Sequence, residues 1–309
     1  MSSVWNKIVG QHKAVERLQQ LAINNVHAFL FIGPEGCGKE DAARAFASVL
    51  STGSDSENSR EANLITRGAF ADVVEVLREG AAVDKDEAEE IIRLASTTPT
   101  ESNVKVVIIH EVHLMRDSAA ARLLKTIEEP SEKVIFILLA DQLVPSLATI
   151  NSRCVVVNFM RLTNDIISKT LINEGVEQGV AIAAANVAAG NLPRARLLAA
   201  DERLAHRQEA FASVPFRLDG SGSAVATIVD ELFERIDEAS VPLVEQQALE
   251  LKDLEARVSL TGERGSGRKA LQDRHKRQLR KFNTDELRSG LATVAATYHA
   301  QIIAQPPHP

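Results

Sequence analysis

The sequence predicts an α/β fold with a doubly wound parallel sheet, followed by a region that is entirely helical. Short runs such as VKVVIIH and KVIFILLA are apolar almost throughout, which is typical of parallel strands covered on both faces. Helical patterns lie between these runs, and this alternation favours a doubly wound sheet. After Arg161 no further strand pattern occurs.

Each predicted element has its own signal in the chain. Proline, glycine and serine interrupt the later helical patterns near residues 190–193, 216–223 and 261–267. The polar segment 51–60 predicts a surface loop. Strands are predicted over residues 27–32, 72–76, 104–109, 134–139 and 155–159, with helices over residues 41–50, 85–97 and 117–127.

These changes of pattern predict three domains. Residues 1–161 contain the sheet, residues 162–205 form a small set of helices, and residues 206–309 form a second helical domain. A chain of 309 residues is long enough for two or three domains with their own cores.

Composition excludes several classes of protein. The net charge of −7 does not indicate a general affinity for nucleic acid or membranes. Cys37 and Cys154 are far apart and have no spaced metal ligands beside them, so neither a disulfide scaffold nor a zinc site is predicted. The start of the chain lacks signal-peptide features and no run is long and apolar enough to span a bilayer. A cytoplasmic protein is expected.

A glycine-rich segment, residues 33–39 (GPEGCGK), joins the first strand to a helix and is called the glycine loop here. Gly33, Gly36 and Gly38 allow backbone amides to face an anion, and Lys39 adds positive charge at the helix amino terminus. The pattern G-x-x-x-x-G-K-[ST] supplies a hydroxyl for Mg²⁺ after the lysine, but this chain has Glu40. The sequence leaves open whether ATP or ADP still binds; we expect no required cofactor.

A second motif lies at the end of the strand at residues 104–109. An NTPase has an aspartate there to hold Mg²⁺ and a glutamate beside it to polarise water, whereas this chain has His110 followed by Glu111. Imidazole is a poor Mg²⁺ ligand. Metal binding by His110 and His113 is less favoured than a polar strand end, because no further ligands are suitably spaced. Together with Glu40, the motif predicts no hydrolysis by this domain.

Arg153 lies in the segment Asn151-Ser152-Arg153-Cys154, just before the last predicted strand. A planar guanidinium at this place could project towards a neighbouring chain and bind a γ-phosphate. The alternative is a surface arginine in an ordinary ion pair. The tripeptide Ser152-Arg153-Cys154 is weak evidence, so the sequence alone favours this alternative.

The run RKALQDRHKRQLRK, residues 268–281, is strongly basic. Such runs are more often solvated helix faces than nucleic-acid sites, and the aromatic side chains that accompany single-strand binding are scarce here.

Together these motifs resemble the AAA+ clamp-loader family of bacterial DNA polymerase III. Arg194 and Arg196 are both candidates for its sensor-2 position. The resemblance is carried by Val9-Gly10-Gln11, the glycine loop, His110-Glu111-Val112-His113, LLKTIEEP (residues 123–130), Ser152-Arg153-Cys154 and residues 190–196.

The resemblance implies an AAA+ domain, a helical lid (residues 162–205) and an all-α collar domain (residues 206–309) that acts in oligomerisation. It implies a subunit that does not hydrolyse ATP but offers Arg153, as an arginine finger, to ATP on a neighbour. The implied partners are gamma/tau and delta subunits in a hetero-oligomer, with the sliding clamp and primer-template DNA reached through the complex. Many relatives bind zinc after the first helix; residues 51–68 contain no cysteine, so no zinc is expected. Asp141 replaces the usual sensor-1 hydroxyl or amide.

Two other functions remain open at this point. One is an active gamma/tau-like ATPase, with Glu111 as the base and Glu40 tolerated. The other is a nucleic-acid-binding protein that uses the basic run at residues 268–281.

Overall fold

The computed structural model of the chain describes residues 3–24, 26–78, 82–83, 85–201, 203–261 and 266–304. The chain divides into two compact units, Met1–Arg196 and Leu197–Pro309. The borders drawn at residues 161 and 205 stay predictions.

A five-stranded sheet forms the centre of the first unit. Its order is β2-β3-β4-β1-β5 and all pairings are parallel. Every strand end lies within one residue of its prediction. This sheet and the described helices beyond it confirm the predicted fold class, a parallel α/β domain followed by an all-α region. The strands are β1 (Ala28–Ile32), β2 (Val73–Val76), β3 (Lys105–Ile109), β4 (Val134–Ala140) and β5 (Val155–Asn158).

Helices cover both faces of the sheet and continue beyond it. Gly53, at φ 70°, ends α2 just inside the segment predicted as a loop. The described α-helices that begin in the first unit are α1 (His12–Leu21), α2 (Lys39–Thr52), α3 (Arg60–Thr66), α4 (Lys85–Ala95), α5 (Asp117–Glu128), α6 (Ala148–Asn151), α7 (Asn164–Asn173), α8 (Gln178–Val187) and α9 (Leu192–Ala199).

Two hydrophobic clusters lie on opposite faces of the sheet. Because side chains alternate along a strand, Phe29 and Phe31 enter one cluster while Leu30 enters the other. Phe46 of α2 is fully buried at the centre of the first cluster. Its ring centroid lies 4.9 Å from that of Phe29, in an edge-to-face arrangement, and 6.5 Å from that of Trp5. This aromatic packing fixes α2, and hence the glycine loop, against the sheet.

The second unit consists of α10 (Leu204–Arg217), α11 (Gly222–Thr261) and α12 (Ser266–Ala304). Gly290 of α12 packs against Phe211 of α10, so closely that a Cβ at Gly290 would lie 2.2 Å from the Phe211 ring. No described helix is long and apolar enough to cross a membrane.

The basic run at residues 268–281 lies within α12. Several of its side chains, including those of Arg268, Lys269, Arg274 and Arg277, lie outside the described residues, as do residues 262–265 of the predicted interruption. Direct nucleic-acid contact by this run therefore stays a prediction.

Candidate functional site

The glycine loop leaves the carboxyl end of β1 and turns into α2. Gly36 and Gly38 have φ of 70° and 94°, in the left-handed region that glycine favours. Gly33 lies so close to β5 that a Cβ there would be 2.6 Å from Cβ of Phe159. The loop thus has its expected strand–loop–helix setting, and its glycines are required by close packing as well as by backbone conformation.

Lys39, the first residue of α2, is 2% exposed and is held by acceptors from its own chain. Its Nζ lies 2.8 Å from Oδ1 of Asp141, 3.1 Å from Oε1 of Glu40 and 3.4 Å from the carbonyl oxygen of Pro34. Burial alone would lower the pKa of Lys39, but Glu40 and Asp141 outweigh it and raise that pKa. Lys39 is therefore a charged, buried lysine paired with two carboxylates.

Asp141 follows β4, which lies next to β1 in the sheet. Its backbone N–H donates to Nδ1 of His113 over 3.2 Å. A neutral His113 ring must then carry its proton on Nε2, which lies 3.6 Å from Oδ2 of Asp141. Burial lowers the pKa of His113, although Asp141 and Glu111 oppose this. Asp141 is thus positioned by His113 while it pairs with Lys39, a role that sequence reasoning did not identify.

The two residues after β3 enter separate ion-pair networks. Nε2 of His110 lies 3.0 Å from Oε2 of Glu75 on β2, and Glu75 also accepts two hydrogen bonds from Arg44 of α2, at 2.6 and 2.8 Å. Glu111, at φ 51°, accepts a 2.8 Å hydrogen bond from Nε of Arg78. His110 is thus part of a structural network, and Glu111 is held in an ion pair.

No metal site is formed by these residues. Among the side chains that the structure describes, no group of three histidine, cysteine, aspartate or glutamate residues could hold a metal ion. Burial raises the pKa of the Cys37 thiol to about 11 and that of Cys154 to about 12. Both thiols are therefore protonated and poor ligands at neutral pH.

Gln11 links the glycine loop to Met160, which follows the carboxyl end of β5. Its Nε2 donates to the carbonyl oxygens of Cys37 and Met160 over 3.0 and 2.6 Å, and its Oε1 accepts from the N–H of Met160 over 3.0 Å. Since Gln11 is 3% exposed, its amide is committed to backbone groups. No local sequence pattern predicts these hydrogen bonds, because they join residues up to 149 positions apart.

The start of α9 covers the glycine loop. The N–H of Leu192 donates to the carbonyl oxygen of Gly36 over 3.1 Å. The side chain of Asn191 fills the space beside Gly36, where a Cβ would meet its Oδ1 at 2.2 Å. The same Oδ1 accepts from the N–H of Arg194 over 2.9 Å, so Asn191 both begins the helix and packs on the loop.

A cleft of about 490 Å³ lies beside α2 and is lined by Asp41, Arg44 and Arg196, among others. Arg196 donates to both carboxylate oxygens of Glu174, at 3.0 and 2.6 Å. Of the two sensor-2 candidates, Arg196 lines this cleft, and the lining does not include Arg194.

Arg153 precedes the amino end of β5, whereas the glycine loop follows the carboxyl end of β1. Val155, the first residue of β5, pairs with Phe29 of β1, and the loop begins four residues beyond Phe29, about 13 Å further along the strand at the usual rise. Arg153 and the loop therefore lie at opposite ends of these parallel strands, and Arg153 points to contacts other than its own loop.

The Arg153 guanidinium is only partly engaged. Its Nε lies 3.2 Å from Oε2 of Glu128, and its Nη1 donates to the carbonyl oxygen of Thr149 over 3.0 Å and to Oγ of Ser152 over 3.2 Å. Nη2 donates no hydrogen bond to the described residues, and the side chain is 33% exposed. These contacts fix the orientation of the guanidinium and leave Nη2 free to donate.

Stability at acid pH should report on the Glu75 network. Burial alone would raise the pKa of Glu75, but hydrogen bonds from His110 and Arg44 lower it to about 2 from the ordinary 4.5. A depressed pKa stabilises the fold above pH 4.5, and that stabilisation is lost as the pH falls towards 2. Between pH 6 and pH 3, the free energy of unfolding measured in urea should fall more steeply for wild type than for Glu75→Gln. The full effect is of the order of 3 kcal/mol. Equal slopes would contradict the assignment.

Comparison with known proteins places the chain in a family. A sequence model described as "DNA polymerase III, delta subunit" matches residues 10–163, about half of the chain. The chain is 35% identical over 172 residues to DNA polymerase III subunit tau of Bacillus subtilis, a match that covers 53% of this chain and 30% of tau. It is 31% identical over 181 residues to subunit delta' of the same bacterium, covering 55% of each.

A crystal structure of a DNA polymerase III gamma subunit-related protein from Thermotoga maritima aligns over 92% of this chain and 98% of that one, with 18% identity and a TM-score of 0.43. The chain spans about a quarter to a half of the length of the curated relatives it matches. The sequence matches and the glycine loop at the end of β1 lead to one conclusion: the chain belongs to the clamp-loader family of DNA polymerase III subunits.

Proposed function

We propose that the chain is a delta-prime-type subunit, a non-hydrolysing stator that completes the clamp-loader ring during DNA replication. It lends Arg153 to ATP bound by a neighbouring gamma/tau subunit. The observation that carries this proposal is the position of Arg153: it is oriented by its contacts, partly exposed, and placed at the opposite end of the strands from its own loop. An arginine there is placed to serve an anion held by another molecule.

The loop of this chain supports the same division of roles. Catalysis of phosphoryl transfer depends on positioning and on neutralising charge, usually with Mg²⁺. Here Glu40 replaces the metal-binding hydroxyl, and His110 is paired with Glu75 instead of facing the loop. The chain itself would require no nucleotide and no zinc. The nucleotide that matters would be on the partner.

In the proposed complex Arg153 acts by charge and geometry. Its planar guanidinium matches phosphate oxygens, and Nη2 is available to donate to them. Because Thr149 and Ser152 fix the group before the partner arrives, little side-chain entropy would be lost on contact. The partners are gamma/tau and delta subunits in a cytoplasmic hetero-oligomer, which meets the sliding clamp and primer-template DNA as one assembly.

Assembly and ATPase measurements on the purified chain test this role. We expect the chain to co-elute with gamma/tau and delta subunits in size-exclusion chromatography and to show no magnesium-dependent ATP hydrolysis alone. Turnover by the isolated chain that Lys39→Ala abolishes would instead identify an active ATPase. Failure to join the complex, with salt-dependent DNA binding lost on neutralising Lys276 and Arg280, would favour a nucleic-acid-binding protein.

A further inference from the structure

The glycine loop has the backbone of a nucleotide site but not the side-chain chemistry. A phosphate-binding lysine must present free N–H donors and net positive charge to the phosphates. An ammonium group has three donors. In this chain Lys39 has three acceptors within 3.4 Å, on Asp141, Glu40 and Pro34. The side chains of the loop therefore do not fit a nucleotide phosphate.

The charge at the loop is also of the wrong sign. Lys39 contributes one positive charge, while Glu40 and Asp141 contribute two negative ones, all within 3.1 Å of Nζ. Lys39 is 2% exposed, and the Glu40 and Asp141 side chains are 30% and 33% exposed. Water therefore screens the two carboxylates only in part, and they repel a further negative charge more strongly than in bulk solvent. An incoming phosphate would meet a net negative charge and would have to displace a carboxylate.

The residues at the start of α9 that cover the glycine loop are held there by contacts within the chain. Asn191 packs on Gly36, and the N–H of Leu192 donates to the Gly36 carbonyl oxygen. The start of α9 is thus fixed directly to the glycine loop by contacts within the chain.

We propose that the carboxylate of Asp141, with that of Glu40, occupies the anion position beside Lys39 and closes the glycine loop to nucleotide phosphates. The loop then serves as a structural joint between the sheet, α2 and α9. This inference rests on the proposed non-hydrolysing role and deepens it, because it names the groups that exclude nucleotide. His113 acts as a positioning residue, since it accepts the Asp141 N–H.

Equilibrium binding of inorganic pyrophosphate to the 309-residue chain tests the proposal. Calorimetry without metal should detect no binding to wild type at millimolar pyrophosphate. The double variant Asp141→Asn, Glu40→Thr keeps an oxygen near Lys39 but removes both negative charges. Its affinity for pyrophosphate should rise about 100-fold or more, and pyrophosphate should raise its melting temperature but not that of wild type.

Asp165→Asn is the matched control. It removes one exposed carboxylate, which pairs with Lys169 at 2.9 Å, and should leave pyrophosphate binding at the wild-type level. If the double variant does not fold, the single Asp141→Asn variant keeps the Oδ1 acceptor for Lys39 and should give a smaller gain of the same sign.

Two results would overturn the proposal: micromolar pyrophosphate or ATP binding by wild type, or a folded variant that binds no more tightly than wild type. Neither affects the assignment of Arg153, which acts on the nucleotide of another chain. Conversely, if Arg153→Ala leaves the partner's ATP hydrolysis unchanged, the proposed function fails, but pyrophosphate binding still tests whether the glycine loop is closed.

Discussion

Replacing Arg153 with alanine is expected to slow ATP hydrolysis at the neighbouring gamma/tau site by about 10³- to 10⁵-fold, the range known for arginine fingers. The loss follows because Arg153 would stabilise charge that develops on the γ-phosphate, whereas ground-state binding uses the partner's own loop. Single-turnover hydrolysis in the reconstituted complex, with sliding clamp and primer-template DNA present, measures the affected site. The total ATPase rate of the complex would fall only by the fraction of hydrolysis that this one site contributes.

Arg60→Ala is the matched control for this experiment. Arg60 also lies on the surface of the first unit and pairs with a glutamate, Glu101, at 3.1 Å. Its replacement should leave hydrolysis unchanged. If Arg153→Ala prevents assembly, Arg153 is an interface residue. If the complex assembles and hydrolyses ATP at the wild-type rate, the finger assignment is wrong.

Truncating Phe46 to alanine should destabilise the first unit by about 3–5 kcal/mol, the usual cost of removing a buried aromatic ring. Phe46 is fully buried and packs on Phe29 and Trp5, so the variant leaves a cavity that rigid strands cannot fill. The free energy of unfolding in urea, followed by circular dichroism, gives the loss directly.

Phe216→Ala provides the comparison for Phe46. Phe216 is 71% exposed, so the same truncation should change stability by no more than about 0.5 kcal/mol. A loss below 1 kcal/mol for Phe46→Ala would show that the aromatic cluster does not hold α2 on the sheet.

The strands could be predicted because each is nearly continuous in apolar residues and bounded by polar ones. All five occur within one residue of their predicted ends. The glycine loop was predictable for a similar reason, since its spacing is local. The order of the strands was not, because parallel pairing depends on connections that no local pattern specifies.

The chemistry of the loop depends on that unpredicted order. Asp141 meets Lys39 because β4 lies beside β1, so the carboxyl ends of these strands adjoin although the residues are 102 positions apart. The sequence showed that Asp141 was an unusual residue after a strand, but not what it contacts. Likewise, His110 could be recognised as a replaced aspartate, whereas its partner Glu75 depends on the pairing of β2 with β3.

The most direct test of the central claim compares Arg153→Ala with Lys39→Ala in the same reconstituted clamp loader. The claim is that this chain contributes an arginine to another subunit's ATP and no ATP site of its own. It predicts that, in assembled complexes, Arg153→Ala reduces clamp- and DNA-stimulated hydrolysis while Lys39→Ala leaves it at the wild-type rate. The opposite pattern, in which Lys39→Ala reduces hydrolysis and Arg153→Ala does not, would contradict the claim.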